Sequence, residues 1–166
     1  MKNNIFRGMS FNNNWIFGYY LPTTDNKAYI VKNVRPINND LIVNGCRVLP
    51  NTVGHSIGRK DKNNREIFTQ DVVKVKYLDI DENEQTADEV EEAVIVDVDN
   101  NTGYAPFSWG RECNICYSSV VVIEVEIIGN IHNNPELNNV DYLYQKYHSE
   151  KTIDIEKAKN ITTRYN

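Results

Sequence analysis

The chain has 166 residues, a formal net charge of −5 and a pI of about 5.2, and 40% of its residues are apolar. The apolar share, with ten tyrosines, five phenylalanines and two tryptophans, excludes a disordered chain of low hydrophobicity, and the length suits one core. The acidic balance disfavours binding to nucleic acid or to an anionic membrane, except through a local basic patch.

The compartment is inferred from three features. Residues 1–7 lack the apolar core of a signal peptide, and no apolar run approaches the roughly 18 residues of a membrane span. The three cysteines, Cys46, Cys113 and Cys116, cannot all pair within one chain, which favours reduced thiols. We therefore expect a protein of the cytoplasm that does not enter a membrane.

The first part of the chain contains short candidate strands that are rich in aromatic and β-branched residues. Asn, Pro, Asp and Gly separate them, which is the spacing of an all-β sandwich or barrel. Asn doublets such as Asn38-Asn39 and Asn63-Asn64 suit tight turns, because Asn tolerates left-handed backbone angles. The candidate strands are residues 15–21, 28–34, 40–43 with 47–49, and 52–57.

The clearest strand signals come next. In residues 71–80 Val73, Val75 and Tyr77 alternate with Lys74 and Lys76, as a half-buried strand requires. Residues 92–98 repeat this alternation, and residues 120–128 are nearly continuous in Val and Ile. Between them, the acidic segment 79–92 predicts a solvated, mobile hairpin loop.

The C-terminal part of the chain changes character. Asn134, Pro135 and Glu136 supply an N-cap, a first-turn proline and a first-turn acid, and apolar residues then recur at spacings of three and four. This pattern predicts a short helix over residues 135–147. Residues 149–166 have few apolar anchors and predict either a second helix or a frayed tail. We expect a β-rich domain over residues 1–140 and a helical extension or tail over 141–166.

Three stretches carry a resemblance to a known family. The first is FRG at 6–8 followed by WIFG at 15–18. The second runs from TVG at 52–54 through GRKDKNNREIF at 58–68 to DVV at 71–73, and the third is IGNIHNNPEL at 128–137. In this order and spacing they resemble the YopX family of phage and prophage proteins, whose signature reads G-x-K-D-K-N-G-x-x-I-y-e-G-D-i-V and whose closing motif reads I-G-N-I-x-x-N-P-E-L.

The chain departs from that signature at two places. Asn64 stands where the family has a turn glycine, and Thr69-Gln70 replaces an acid-glycine pair, which removes a second glycine. The resemblance implies a mainly β fold, all-β or β-rich α+β, with a small-barrel or SH3-like architecture and a short C-terminal helix. It also implies a protein of phages, prophages and related mobile elements, and it implies no reaction, cofactor or catalytic residue.

The residue types that carry chemistry form no recognisable catalytic or metal motif. Cys113 and Cys116 have the spacing of a zinc knuckle, but a tetrahedral site needs two more ligands, for which Cys46 and the dispersed histidines are the candidates. Buried reduced thiols explain the pair more simply. No nucleophile elbow, phosphate loop or calcium loop is present in the sequence. The sequence therefore predicts no enzyme, no metal and no cofactor.

A basic cluster lies inside the signature. Arg59, Lys60, Lys62 and Arg65 either belong to a structural turn, in which Asp61 bonds the following amides, or form a phosphate-contacting patch. The structural interpretation is favoured, because loops are polar by default.

Aromatic residues add a second candidate surface. Trp15, Phe17, Tyr19 and Tyr20 lie in one predicted strand, and Tyr104, Phe107 and Trp109 flank a later turn. Such residues most often build a core, yet β-barrels that bind single strands expose aromatics beside basic side chains.

Two functional hypotheses remain. The first is a non-enzymatic protein-binding or assembly module that binds a host or phage protein in the bacterial cytoplasm or forms a homo-oligomer, through a β-edge or the C-terminal helix with Tyr142, Tyr144 and Tyr147. The alternative is a nucleic-acid-binding protein that uses the basic loop 59–65 and nearby aromatics. The candidate binding residues are Arg59, Lys60, Lys62, Arg65, Tyr104 and Trp109.

Overall fold

The structure is a computed structural model that describes residues 5–38, 40–80, 85–99, 103–104 and 119–165. The chain divides into two compact units, residues 1–59 with 66–69 and residues 60–65 with 70–166. In the part of the chain that the structure describes, every helix is too short or too polar to cross a membrane.

The first unit is built on one antiparallel meander. The strands are β1 (Phe6–Met9), β2 (Trp15–Pro22), β3 (Ala28–Ile37), β4 (Asp40–Val48), β5 (Gly54–Lys60) and β6 (Glu66–Phe68). Their order in the sheet is β4-β3-β2-β1-β5-β6, and a short 3₁₀ turn, Pro50–Thr52, precedes β5. Asn13, Asn26 and Asn38 occupy turns with φ of 58°, 58° and 49°, which confirms the role expected for asparagine in this sequence.

The core of the first unit lies on one face of this sheet. Ala28, Ile30 and Val48 are fully buried, and Phe6, Ile16 and Val53 pack against them. Gly8 lies so close to this cluster that an added Cβ would be 2.7 Å from Cγ2 of Val48. A glycine is therefore required in the first strand for the sheet to pack on its core.

The second unit is built on a four-stranded antiparallel sheet with two helices packed against it. Its elements are β7 (Asp71–Ile80), β8 (Thr86–Ile95), β11 (Ser119–Asn130), a 3₁₀ turn (Pro135–Asn138), α1 (Val140–Tyr147), β12 (Ser149–Asp154) and α2 (Ile155–Tyr165). The strand order in the sheet is β11-β7-β8-β12. Strands β9 (Val98–Asp99) and β10 (Gly103–Tyr104) form a separate ladder.

The acidic segment corrects the sequence-based expectation. The predicted loop over 79–92 is wrong for residues 79–80, which end β7, and for residues 86–92, which are the first part of β8. The acids of this strand face lysines of β7: Lys74 Nζ lies 3.3 Å from Glu91 Oε1, and Lys76 pairs with Glu89. Cross-strand lysines compensate the charge that a run of acids would otherwise concentrate.

The predicted helix over 135–147 is also corrected. The chain forms a 3₁₀ turn and then α1, separated at Asn139, which has φ −101° and ψ 110°. The Asn139 side chain accepts a hydrogen bond from the amide of Tyr142 at 3.1 Å, so Asn139, and not Asn134, caps the helix. Downstream, β12 pairs with β8 over six residues, a strand that the sequence pattern does not indicate.

The mainly β class with a short C-terminal helix is confirmed. The barrel expectation is not met, because the described strands form open sheets with edges at β4 and β6 in one sheet and at β11 and β12 in the other. The two edge strands of the first sheet have nine and three residues, which leaves little common length over which they could pair.

Candidate protein-interaction face

The basic loop of the signature is organised around one buried carboxylate. The Asp61 side chain has no exposed surface, and its Oδ1 accepts hydrogen bonds from the amides of Asn63 and Arg65, both at 2.9 Å. Oδ2 accepts from Nε and Nη2 of Arg65 at 2.9 and 2.6 Å and from the amide of Ile127 at 3.2 Å. Burial alone would raise the pKa of Asp61, but these hydrogen bonds outweigh it and lower the pKa to about 2.

The same loop is fastened to β11 by its cations. Lys62 Nζ lies 3.0 Å from Glu124 Oε1 and 2.8 Å from Glu126 Oε2, and these contacts raise the pKa of Lys62. The Lys62 amide donates to the Val125 carbonyl at 2.9 Å, and Arg65 Nη2 donates to the Ile127 carbonyl at 2.7 Å. The positive charge of Lys62 and Arg65 is thus matched within the unit.

Of the other predicted binding residues, two have described side chains and the rest do not. Arg59 and Lys60 are exposed at the end of β5. Tyr104 lies in β10, where only the backbone is described, and Phe107 and Trp109 lie outside the described residues, as do Cys113 and Cys116. The contacts of Lys62 and Arg65 are those of a structural turn, and a binding role for the cluster stays a prediction.

A second surface lies on the meander of the first unit. The register pairs Arg7 with Phe17, Tyr19 with Val31 and Val31 with Gly45. Partners and every second residue of a strand share a face of the sheet, so Phe17, Tyr19 and Leu21 lie on the face that carries Arg7.

The bulge in β3 extends this face outward. The register steps from Val31 opposite Gly45 to Asn33 opposite Asn44, so the extra residue, Lys32, lies in β3 while β4 keeps its alternation. Val43, two residues from Gly45, therefore lies on the same face as Tyr19, and its partner Val34 lies beside it. We call this face, formed by Phe17, Tyr19, Leu21, Val34 and Val43, the meander face.

Large apolar side chains of the meander face are open to solvent. Phe17 is 51% and Tyr19 55% exposed, and Leu21, Val34 and Val43 are each about half exposed. The expectation that the aromatics of this strand build a core is wrong for Phe17, Tyr19 and Tyr20. Residues two apart in a strand share a face, as Phe17 and Tyr19 do, but a sequence pattern does not show whether another element covers that face.

Arg7 braces one end of the meander face. Its guanidinium carbon lies 4.5 Å from the ring centre of Trp15 and 4.9 Å from that of Phe68, and Phe68 lies 5.7 Å from Phe17. Arg7 is only 7% exposed, and its Nη2 donates to the Thr69 carbonyl at 3.4 Å. A guanidinium held between two rings fixes the aromatic groups at the edge of the exposed surface.

A family model with the description YopX protein matches residues 5–138 of this chain. The chain belongs to the YopX family. Among curated proteins and among solved structures, no match to the chain is found.

The two departures from the YopX signature now have a structural explanation. Asn64 and Gln70, which replace the two glycines, have φ of 63° and 71°, so the backbone keeps the left-handed conformation at both positions. Asn64 follows the general tolerance of asparagine for this region. At Gln70 the side chain makes a contact that glycine cannot make, because its Oε1 lies 2.8 Å from Nε2 of His132.

The remaining titratable groups of the described YopX residues form no group of three or more His, Cys, Asp and Glu that could hold a metal. Cys46 is a free, half-buried thiol whose Sγ lies 3.4 Å from the Arg47 carbonyl. Burial lowers the pKa of His55. His148 lies 4.0 Å from Glu92 and 3.8 Å from Glu150 and stacks on Tyr144. Among the described residues, the meander face is therefore the best-supported candidate for a binding surface.

Proposed function

We propose that this YopX-family protein is a non-enzymatic protein-binding or assembly module that binds through the meander face. The observation that carries the proposal is the exposure of Phe17 and Tyr19 beside Leu21, Val34 and Val43 on adjoining strands. Contiguous apolar surface with aromatic residues is typical of protein interfaces, whereas single exposed apolar residues are not informative. The occupant is a host or phage protein in the cytoplasm, or a second copy of this chain.

Charge supports a protein partner over nucleic acid. The net charge of −5 opposes a polyanion, and the loop that offered a phosphate site has Lys62 paired with Glu124 and Glu126 and Arg65 paired with Asp61. Nucleic acid remains the second candidate because exposed aromatic residues on a sheet also stack bases, and Arg59 and Lys60 are exposed.

The test compares three proteins by light scattering during size-exclusion chromatography and by affinity capture from cells that produce the protein. They are the wild type, the double variant Phe17→Ser with Tyr19→Ser, and Ile42→Ser, which removes an apolar residue that is 52% exposed and points to the opposite face of β4 from Val43. The proposal expects either a discrete oligomer or one captured protein, retained by wild type and Ile42→Ser and lost in the double variant.

Two results would overturn the proposal. The first is a strictly monomeric mass in all three proteins with no captured protein that distinguishes them. The second is a mass that grows when a pool of oligonucleotides is added and reverts at high salt, since that dependence marks release of counterions from nucleic acid. In the second case the substitutions Lys60→Glu and Lys62→Glu would locate the nucleic-acid site.

A further inference from the structure

Strand β8 in the second unit is paired on both sides over only part of its length. Its partner β7 pairs from Ile80 opposite Ala87 to Val72 opposite Ile95, but β12 begins only at Ser149, opposite Glu91. In the described part of the chain, no strand lies against the outer side of residues 92–95. The upstream chain leaves the sheet there to form α1.

The direction of the main-chain groups along this free edge follows from two contacts. The Val96 amide donates to the Asp71 carbonyl and the Val96 carbonyl accepts from Gln70, both at 2.8 Å, so Val96 faces β7. The Gln85 carbonyl accepts from the amide of Ile155 at 3.1 Å, so Gln85 faces β12. Because these directions alternate along a strand, Ala93 and Ile95 point their N–H and C=O groups to the free edge.

An apolar cleft runs along the same edge. It has a volume of about 520 Å³, within the range of ligand pockets, and it is lined by Ala93, Val94, Ile95, Val96 and Asp97 in succession. Since successive side chains of a strand point to opposite faces, a cleft lined by consecutive residues must follow the strand edge. Its other walls are Ile131, Val140 and Leu143, with Gln70 and Asn138.

We propose that this cleft binds an extended segment of a partner protein, which adds to β8 as a strand in line with β12. The free edge supplies main-chain donors and acceptors at Ala93 and Ile95, and the apolar wall at Val140 and Leu143 takes a side chain of the incoming strand. Strand addition of this kind draws affinity from the main chain and specificity from pockets for alternate side chains.

The lining also indicates the sequence of the segment. A strand in line with β12 runs antiparallel to β8, so its N-terminal end lies beside Asp97, which is exposed at the end of the cleft. A basic residue at the N-terminal end of the segment would pair with Asp97. Apolar residues at alternate positions after it would contact the apolar wall of the cleft. This is a second binding surface, in the second unit, and it stands whether or not the meander face binds protein.

The experiment uses end-capped peptides with the pattern Lys-Val-Thr-Val-Thr, and with Leu or Phe in place of Val, added to the isotope-labelled full chain. The amide signals of Ala93 and Ile95 should shift and their exchange with solvent should slow. Two further peptides carry N-methyl groups, one on the Val positions and the other on the Thr positions. Because only alternate amides of an added strand face β8, one methylated peptide should bind and the other should not.

Val140→Asp tests the wall of the cleft, since Val140 is 70% exposed and its substitution leaves the core in place. It should weaken peptide binding by at least about tenfold, whereas Ile42→Asp, at an exposed isoleucine of the first unit outside the meander face, should not.

Three results would overturn the proposal. The first is that no peptide shifts the two amides, and the second is that both methylated peptides bind equally. The third is that the amides of Ala93 and Ile95 are already protected without peptide, which would identify a second copy or another part of this chain as the occupant.

Discussion

The guanidinium of Arg65 donates two hydrogen bonds to a single oxygen of Asp61, from Nε at 2.9 Å and from Nη2 at 2.6 Å. The same Asp61 oxygen accepts from the amide of Ile127 in β11, and Arg65 also donates to the Ile127 carbonyl. Asp61, Lys62 and Arg65 of the polar signature therefore fasten a turn to a strand. Their charges are paired inside the unit, where they hold the loop in one conformation.

Removal of the Asp61 carboxylate should destabilise the protein strongly. Asp61→Ala removes a fully buried carboxylate and leaves the part-buried amides of Asn63 and Ile127 without their acceptor, which we expect to cost about 2–4 kcal/mol in the free energy of unfolding by urea. The matched control is Glu126→Gln in β11, the strand of Ile127, because its ion pair with Lys62 is partly exposed and should contribute far less to stability. Equal losses in the two variants would contradict the fastening.

The pH dependence of stability follows from the same group. The pKa of Asp61 is lowered from 3.8 to about 2, so its contribution is fully present above about pH 4 and is lost as the pH falls toward 2. The wild type should lose about 2 kcal/mol through this group over that range, and Asp61→Asn should lose correspondingly less. Urea unfolding at a series of acid pH values measures the difference, and parallel curves for the two proteins would refute it.

At the two positions where the chain departs from the YopX signature, a glycine variant should be more stable than an alanine variant. Asn64 and Gln70 have φ of 63° and 71°, where a Cβ is strained by about 1–2 kcal/mol. We therefore expect Gln70→Gly to exceed Gln70→Ala in stability by about 1 kcal/mol, with the same order at Asn64, although glycine usually destabilises a fold. Thermal unfolding of the four variants tests this, and the usual order, with alanine more stable, would show that neither backbone is left-handed.

The helix cap distinguishes the observed from the predicted start of α1. Asn139→Ala removes the acceptor of the Tyr142 amide and should cost about 1 kcal/mol in unfolding free energy. Asn134→Ala should cost less, because the Asn134 side chain makes no capping bond and its Oδ1 accepts a long hydrogen bond, 3.4 Å, from the Asn130 amide. The reverse order of the two losses would support a single helix that starts at Pro135.

The fold could be predicted where one side of a strand is buried. Val73, Val75 and Tyr77 alternate with lysines, and β7 has the bounds that this alternation predicts. Strand β12 could not be found this way, because Ile153 is its one buried residue, and its pairing with β8 comes from tertiary contact instead of a pattern. The sequence also does not show that the helical segment is interrupted at Asn139, because the apolar spacing continues across that residue.

The sequence indicates the candidate surfaces less clearly than it indicates the strands. The aromatic residues of β2 indicate a strand, but exposure of Phe17 and Tyr19 depends on which elements pack over them. The cleft on β8 depends on where β12 begins, at Ser149, and where α1 begins, at Val140, and neither position is marked in the sequence. The basic loop was visible as a motif, yet its partners, Glu124 and Glu126, lie some 60 residues away in the chain.

Photo-crosslinking at adjacent tyrosines tests the central claim most directly. Tyr19 lies on the meander face, whereas Tyr20 points to the opposite face, where its ring lies 5.5 Å from that of Phe6. Benzoylphenylalanine would replace one or the other in cells that produce the protein. We expect a defined protein adduct from position 19 and none from position 20. Adducts from neither position, or equal adducts from both, would contradict binding through this face.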